Sequence, residues 1–150
     1  MYIGQSGVFQ ASRKPANILV VRGGRTEADI KNNQLLMGVS VDIGNYHLQN
    51  GLALFDTGST ETVLYLKNFR SKIGFEPYDH GIARGMNGDL EDVYYFDSKI
   101  TLQCGFEIDT DLIDVFDHKP DFANMIIGMD IINKGKLIVD GKAGTFQFEI

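Results

Sequence analysis

Between Ile100 and Ile108 every second residue is apolar: Ile100, Leu102, Cys104, Phe106 and Ile108 alternate with Thr101, Gln103, Gly105, Glu107 and Asp109. A helix cannot place residues i, i+2 and i+4 on one face, whereas a pleated strand does so by construction. The stretch therefore reads as one continuous strand with a single buried face. The same period recurs at Val39, Val41 and Ile43, and again at Phe146, Phe148 and Ile150. Seventeen glycines punctuate the 150 residues and fall between such segments, as tight turns between short strands require. With 43% apolar and 23% charged residues the chain has the composition of one packed domain. The expected fold class is all-β with one or two short helices.

Residues 1–34 read as an N-terminal arm or edge strand around Ile18 to Val21, and residues 35–150 as the main domain. Asn50-Gly51 is the expected hairpin turn that delivers the apolar run Leu52-Ala53-Leu54-Phe55. Leu66, Phe69 and Ile73 fall at helical spacing, with Gly74 placed to end the helix. Gly85-Met86-Asn87-Gly88 reads as a hairpin tip, and Leu137-Ile138-Val139, the turn Gly141 to Gly144 and Phe146 to Ile150 read as a final hairpin.

Several functions are set aside by composition. Fourteen basic against twenty acidic residues give a net charge of −6 without basic clusters, so no nucleic-acid partner is expected. A single cysteine forms no disulfide within the chain, and Cys104 with His47, His80 and His118 makes no metal-ligand spacing; Cys104 reads as a packed apolar residue. The acids from Glu107 to Asp121 lack the glycine and glutamate of a calcium loop counted from Asp109, and read as a solvated loop. No metal and no cofactor are expected. Apolar runs such as Ile18 to Val21 are too short to span a bilayer, and no signal-peptide pattern opens the chain, so a cytoplasmic protein without membrane contact is expected.

One segment departs from an ordinary β-domain. The apolar run Leu52 to Phe55 leads directly into Asp56-Thr57-Gly58-Ser59. A carboxylate carried into the interior by such a strand is penalised unless partners hold it or chemistry needs it. Asp56-Thr57-Gly58 by itself is also a common turn sequence. A phosphoaspartate nucleophile of the haloacid-dehalogenase type is disfavoured, because Gly58 stands where a second aspartate is needed and the alternating helices of an α/β sheet are missing.

Three features in order give the tripeptide its context: the apolar strand ending in Asp56-Thr57-Gly58, the glycine-tipped hairpin Gly85 to Gly88, and the late Ile126-Ile127-Gly128 followed by a short helix and a final strand. Over residues 35–150 this arrangement resembles the retropepsin-like aspartic proteases, the family of the retroviral proteases and of the related domain in DNA-damage-inducible ubiquitin-shuttle proteins. Ile126-Ile127-Gly128-Met129-Asp130 and the helix after Thr62 look like the cellular and bacterial members.

The resemblance implies an acid-protease-like closed β-barrel or sandwich, one lobe per chain, working as a homodimer on a peptide or protein substrate. It implies Asp56 as the catalytic residue, with Thr57, Gly58 and Ser59 in the active-site loop. Gly85, Met86, Asn87 and Gly88 would form a flap over substrate, and Ile126, Ile127 and Gly128 a supporting loop beside the aspartate. Peptide hydrolysis without a metal needs a general base for water and a general acid for the leaving amine, which two carboxylates sharing one proton supply. The chain carries one Asp-Thr-Gly, so the resemblance implies a two-fold pairing of two chains, with Thr145 to Ile150 as the expected contact. A catalytically silent dimerisation or peptide-binding module is the alternative. Asp130 is expected to cap or anchor the short helix, and the Ser59 hydroxyl is expected to donate to the Asp56 carboxylate and lower its pKa.

Overall fold

The computed structural model describes residues 18, 20–22, 24–84, 88–114 and 120–150. Strands β1 (Val20–Arg22), β2 (Arg25–Asp29), β3 (Leu36–Ile43), β4 (Tyr46–Phe55) and β5 (Val63–Leu64) precede a one-turn helix α1 (Phe69–Lys72). Then come β6 (Asp79–Arg84), β7 (Leu90–Leu102), a 3₁₀ turn at Gln103–Gly105, β8 (Phe106–Asp114), β9 (Met125–Ile127), the short helix α2 (Met129–Ile132), β10 (Lys136–Asp140) and β11 (Thr145–Glu149).

Eight strands form one sheet in the order β1-β8-β5-β9-β4-β3-β7-β6, and a further pairing of β7 with β8 closes the six strands from β8 to β7 into a ring. The alternating apolar residues of β3, β7 and β8 point into this ring. Met37, Val39, Val41 and Ile43 of β3 meet Ala53 and Phe55 of β4, Ile100 and Leu102 of β7, and Phe106 and Ile108 of β8, all buried. A second, three-stranded sheet runs β10-β11-β2 and lays Phe146 and Phe148 on the ring. The ring of Phe55 lies 5.5 Å from that of Phe146 and 5.4 Å from that of Phe148, inside the range of favourable aromatic pairs. Residues 20–29 thus contribute one strand to each sheet, β1 beside β8 and β2 beside β11.

Five expectations change. Of the acids expected in a solvated loop from Glu107 to Asp121, Glu107, Asp109, Asp111 and Asp114 lie in β8, paired along β7. The strand expected over residues 100–108 is a hairpin: β7 and β8 pair antiparallel with Leu102 opposite Phe106, and the chain reverses through Gln103–Gly105, where Gly105 has φ +77°. Residues directly opposite across a ladder point to the same face, so the alternation survives the reversal. Asn50-Gly51 is a bulge inside β4, with Asn50 at φ +55° and the β3–β4 register slipping between Val39 and Val41; the turn itself is at Gly44 and Asn45. The helix after Thr62 shrinks to Phe69–Lys72, because Val63 and Leu64 are bound into the sheet. Finally, the expected contact strand Thr145 to Ile150 is not an open edge: β11 is central, with β10 on one side and β2 on the other.

Phe148 joins the two sheets through Phe55 and Phe106. Phe148→Ala is expected to lower unfolding free energy by about 3–5 kcal/mol in urea titrations, the usual cost of emptying a buried aromatic site.

Candidate active site

Asp56 follows the last residue of β4, and the site around it is built by a wedge. β4 and β5 are separated by β9, which runs parallel to β4, with Phe55 opposite Ile127, and antiparallel to β5, with Val63 opposite Ile126. Three apolar residues, Met125, Ile126 and Ile127, fill this slot because they are buried on both faces. The wedge holds the Asp56 backbone directly, through Asp56 N–H donating to the Ile127 carbonyl at 3.0 Å.

The segment from Asp56 to Thr62 folds over the end of the wedge. Ser59 N–H donates to the Asp56 carbonyl at 3.2 Å, and Met129 N–H donates to the Ser59 carbonyl at 2.8 Å. Gly128 passes so close to this segment that a Cβ there would lie 2.4 Å from the Glu61 carbonyl oxygen and 2.9 Å from that of Ser59. Only glycine fits. Thr62 fastens the other side: its hydroxyl accepts from Gly128 N–H at 3.1 Å and donates to Asp130 Oδ1 at 2.7 Å, while its N–H donates to Asp130 Oδ2 at 2.9 Å. Asp130 Oδ1 also accepts from Ile131 N–H at 2.8 Å. Of the two roles expected for Asp130, capping or anchoring the short helix, the structure has the second: the N-cap of α2 is Gly128, and Asp130, in the first turn, ties the helix to Thr62.

Asp56 is treated differently from Asp130. It is 3% exposed; Oδ1 accepts from Gly58 N–H at 2.8 Å, and Oδ2 is buried with no hydrogen-bond partner among the described residues. Burial raises its pKa from 3.8 to about 6, against the opposing pull of the Gly58 N–H. Thr57 is exposed and Gly58 half-buried. Ser59 is buried and its hydroxyl donates to the Glu61 carbonyl at 2.8 Å. A hydroxyl has one proton to give, so the expectation that Ser59 lowers the pKa of Asp56 is corrected on both counts: the proton is committed elsewhere, and the shift is upward.

The structure thus gathers Asp56, Thr57, Gly58, Ser59, Ile126, Ile127 and Gly128 at one end of β4 and β9. Gly88 lies apart from them in sequence, on the β6–β7 hairpin, with φ +87° and its carbonyl accepting from Arg84 Nη1 at 2.7 Å. Gly85, Met86 and Asn87 lie outside the described residues, as do residues 1–17 and His118. Thr62 is not singled out by the sequence; the available signal is a hydroxyl residue directly before the apolar run Val63 to Leu66. Among the described residues no group of three or more His, Cys, Asp or Glu side chains is placed to hold a metal ion. No helix among them is long and apolar enough to cross a membrane.

A similar architecture has been solved. The crystal structure of a retropepsin-like aspartic protease from Rickettsia conorii superposes with a TM-score of 0.50 and 11% identity, over 93% of this chain and 94% of that one. The fold is retropepsin-like. No family model and no curated protein matches the sequence.

Two outcomes test this construction. Gly128→Ala forces backbone apart at Glu61 and Ser59 and is expected to lower stability by about 1–3 kcal/mol, read as a fall in Tm. For Asp56 the folded pKa of about 6 lies above the unfolded value of 3.8, so the fold prefers the protonated acid. Stability is therefore undiminished below about pH 4 and falls as pH rises through about 6. In dilute protein Asp56→Asn should gain up to about 3 kcal/mol over the wild type at about pH 7.5 and show no gain near pH 4, measured by chemical denaturation.

Proposed function

We propose that the protein is an aspartic endopeptidase whose active centre forms when two chains bring their Asp56 carboxylates together across a two-fold axis. The observation that carries this reading is Asp56 Oδ2, a buried carboxylate oxygen at the end of β4 without a partner among the described residues, while Oδ1 of the same group has one. Leaving such an atom unpaired costs about 1–3 kcal/mol, a cost that the opposite carboxylate of a second chain, sharing a proton, would offset. The retropepsin-like fold supports the same reading.

The chemistry follows from the shared proton. With one Asp56 ionised and the other protonated, a water between them gives its proton to the ionised carboxylate as its oxygen attacks the peptide carbonyl carbon. The protonated carboxyl donates to the carbonyl oxygen as negative charge develops there. Collapse of the tetrahedral intermediate breaks the C–N bond, and a proton passes to the leaving amine. Each carboxylate exchanges role with the other, so the pair is restored. The elevated pKa of the single buried Asp56 favours holding one proton on the pair near neutral or mildly acidic pH, since a like charge nearby raises one pKa further. In this reading the β6–β7 hairpin with Gly85, Met86, Asn87 and Gly88 covers an extended peptide, and Ile126, Ile127 and Gly128 hold Asp56 in place.

Asp56→Asn should remove peptide cleavage while leaving the dimer intact, checked by a quenched-fluorescence peptide library alongside sedimentation; undiminished cleavage sinks the proposal. The rate against pH should be bell-shaped, because both the doubly protonated and the doubly ionised pair are inactive. Ser59→Ala should leave the positions of both limbs unchanged, since its hydroxyl serves the Glu61 carbonyl, and should cost about 1 kcal/mol of stability.

A further inference from the structure

The three-stranded sheet has two outer edges, and the hydrogen-bond pattern distinguishes them. At the ends of the β11–β2 ladder Ile30 N–H donates to the Gly144 carbonyl at 2.7 Å and Ile150 N–H to the Gly24 carbonyl at 3.0 Å, so the even-numbered residues of β11 turn their backbone groups toward β2. Backbone groups alternate sides along an antiparallel strand. Thr145, Gln147 and Glu149 therefore face β10, where they meet Asp140, Ile138 and Lys136. The groups left pointing outward belong to Arg25, Glu27 and Asp29 on β2, and to Leu137 and Val139 on β10.

On β2 the outward edge is covered by the β7–β8 turn: Gln103 Nε2 donates to the Glu27 carbonyl at 2.6 Å, and the Thr26 hydroxyl donates to the Gln103 carbonyl at 3.0 Å. On β10 the edge ends the sheet among the described residues, with Val139 53% exposed. An open, apolar edge strand of this kind is a template for another strand.

The sequence of that edge, Lys136-Leu137-Ile138-Val139-Asp140, is complementary to itself when reversed. Two antiparallel copies bring outward groups together only when odd-numbered residues face odd-numbered ones, and the register centred on Ile138 uses all of them. It sets Leu137 opposite the partner's Val139, Val139 opposite the partner's Leu137, and Ile138 against its own copy on the two-fold axis. The same register sets Lys136 opposite the partner's Asp140, and by symmetry does so twice. Neither residue forms an ion pair among the described residues. Asp140 uses Oδ1 for the Lys142 and Ala143 N–H groups, which leaves Oδ2 for a cation. Leu137 packs against the core, so its neighbour across the joint would be covered as well.

We propose that the partner surface of this protein is the β10 edge, and that two copies pair there antiparallel about Ile138 to give a continuous six-stranded sheet. The inference deepens the homodimer of the proposed function and rests on that reading for its bearing on catalysis. Lys136→Asp and Asp140→Lys each oppose like charges twice in the homodimer, and each alone should weaken the dimer by about tenfold or more in sedimentation equilibrium. Mixed in equal amounts they should form a heterodimer of near wild-type affinity, because both charge pairs are then restored. Circular dichroism checks that each variant is folded. As a second readout that spares the Asp140 turn, Ile138→Cys in a Cys104→Ser background should oxidise to a covalent dimer. Directly opposed residues in a non-hydrogen-bonded pair lie about 4.5 Å apart at Cα, within the reach of a disulfide; Lys142→Cys in the same background should stay monomeric on denaturing gels. A wild-type chain that is monomeric throughout, or a dimer indifferent to the charge variants and not trapped by Ile138→Cys, overturns the β10 joint even if peptide is cleaved. A trapped dimer that cleaves nothing upholds the joint and removes the peptidase reading.

Discussion

Insertion of β9 between β4 and β5 is the constraint on which the rest of the structure depends. Two strands consecutive in the chain are held apart by a third that arrives some sixty residues later, and the loop joining them must cross over its end. That loop is Asp56 to Thr62. Its path is fixed by the bare backbone of Gly128 on one side and by the Thr62–Asp130 clamp on the other. The direction of the Asp56 side chain is thus set by the backbone contacts around it and by a single donor to its own carboxyl group, the Gly58 N–H.

Two buried carboxylates on either side of this crossing show the difference between structural and chemical use of one group. Asp130 receives three donors at 2.7 to 2.9 Å and is fully engaged as an anion. Asp56 receives one donor, on one oxygen, and burial holds its pKa high. A fold gains nothing in stability from the second arrangement, and groups perturbed in this way gather at functional sites.

The amino-acid sequence carried some of this and hid the rest for definable reasons. An aspartate straight after Leu52 to Phe55 is conspicuous, because burial is read from the strand and the charge from the residue. Ile126-Ile127-Gly128 is legible for the same reason, as an apolar run too short for a helix with a glycine at its end. The reversal at Gln103–Gly105 was invisible, since a three-residue loop leaves Leu102 and Phe106 on one face and preserves the alternation; Gly105 was the only trace. Asn50-Gly51 has the composition of a hairpin turn, and a bulge with Asn50 at positive φ uses the same residues for the same steric reason. The Ser59 hydroxyl was assigned to the nearest carboxylate in sequence, whereas the turn geometry hands it to the Glu61 carbonyl. Thr62 and Asp130, 68 residues apart, form a pair that no local pattern encodes.

The pairing of β2 with β11 joins Arg25 to Glu149 and Asp29 to Thr145. During synthesis β2 therefore emerges long before the strand that completes its ladder, and Phe55 too is made well before Phe146 and Phe148. Contacts of such separation form late and slowly. A chain emerging from the ribosome thus has its Asp56 segment made but unsupported, and its packing is completed only after β11 has been released. If the proposed peptidase reading holds, a centre built this way would stay unassembled while its own polypeptide is still extended, when an active one would find its nearest substrate in itself.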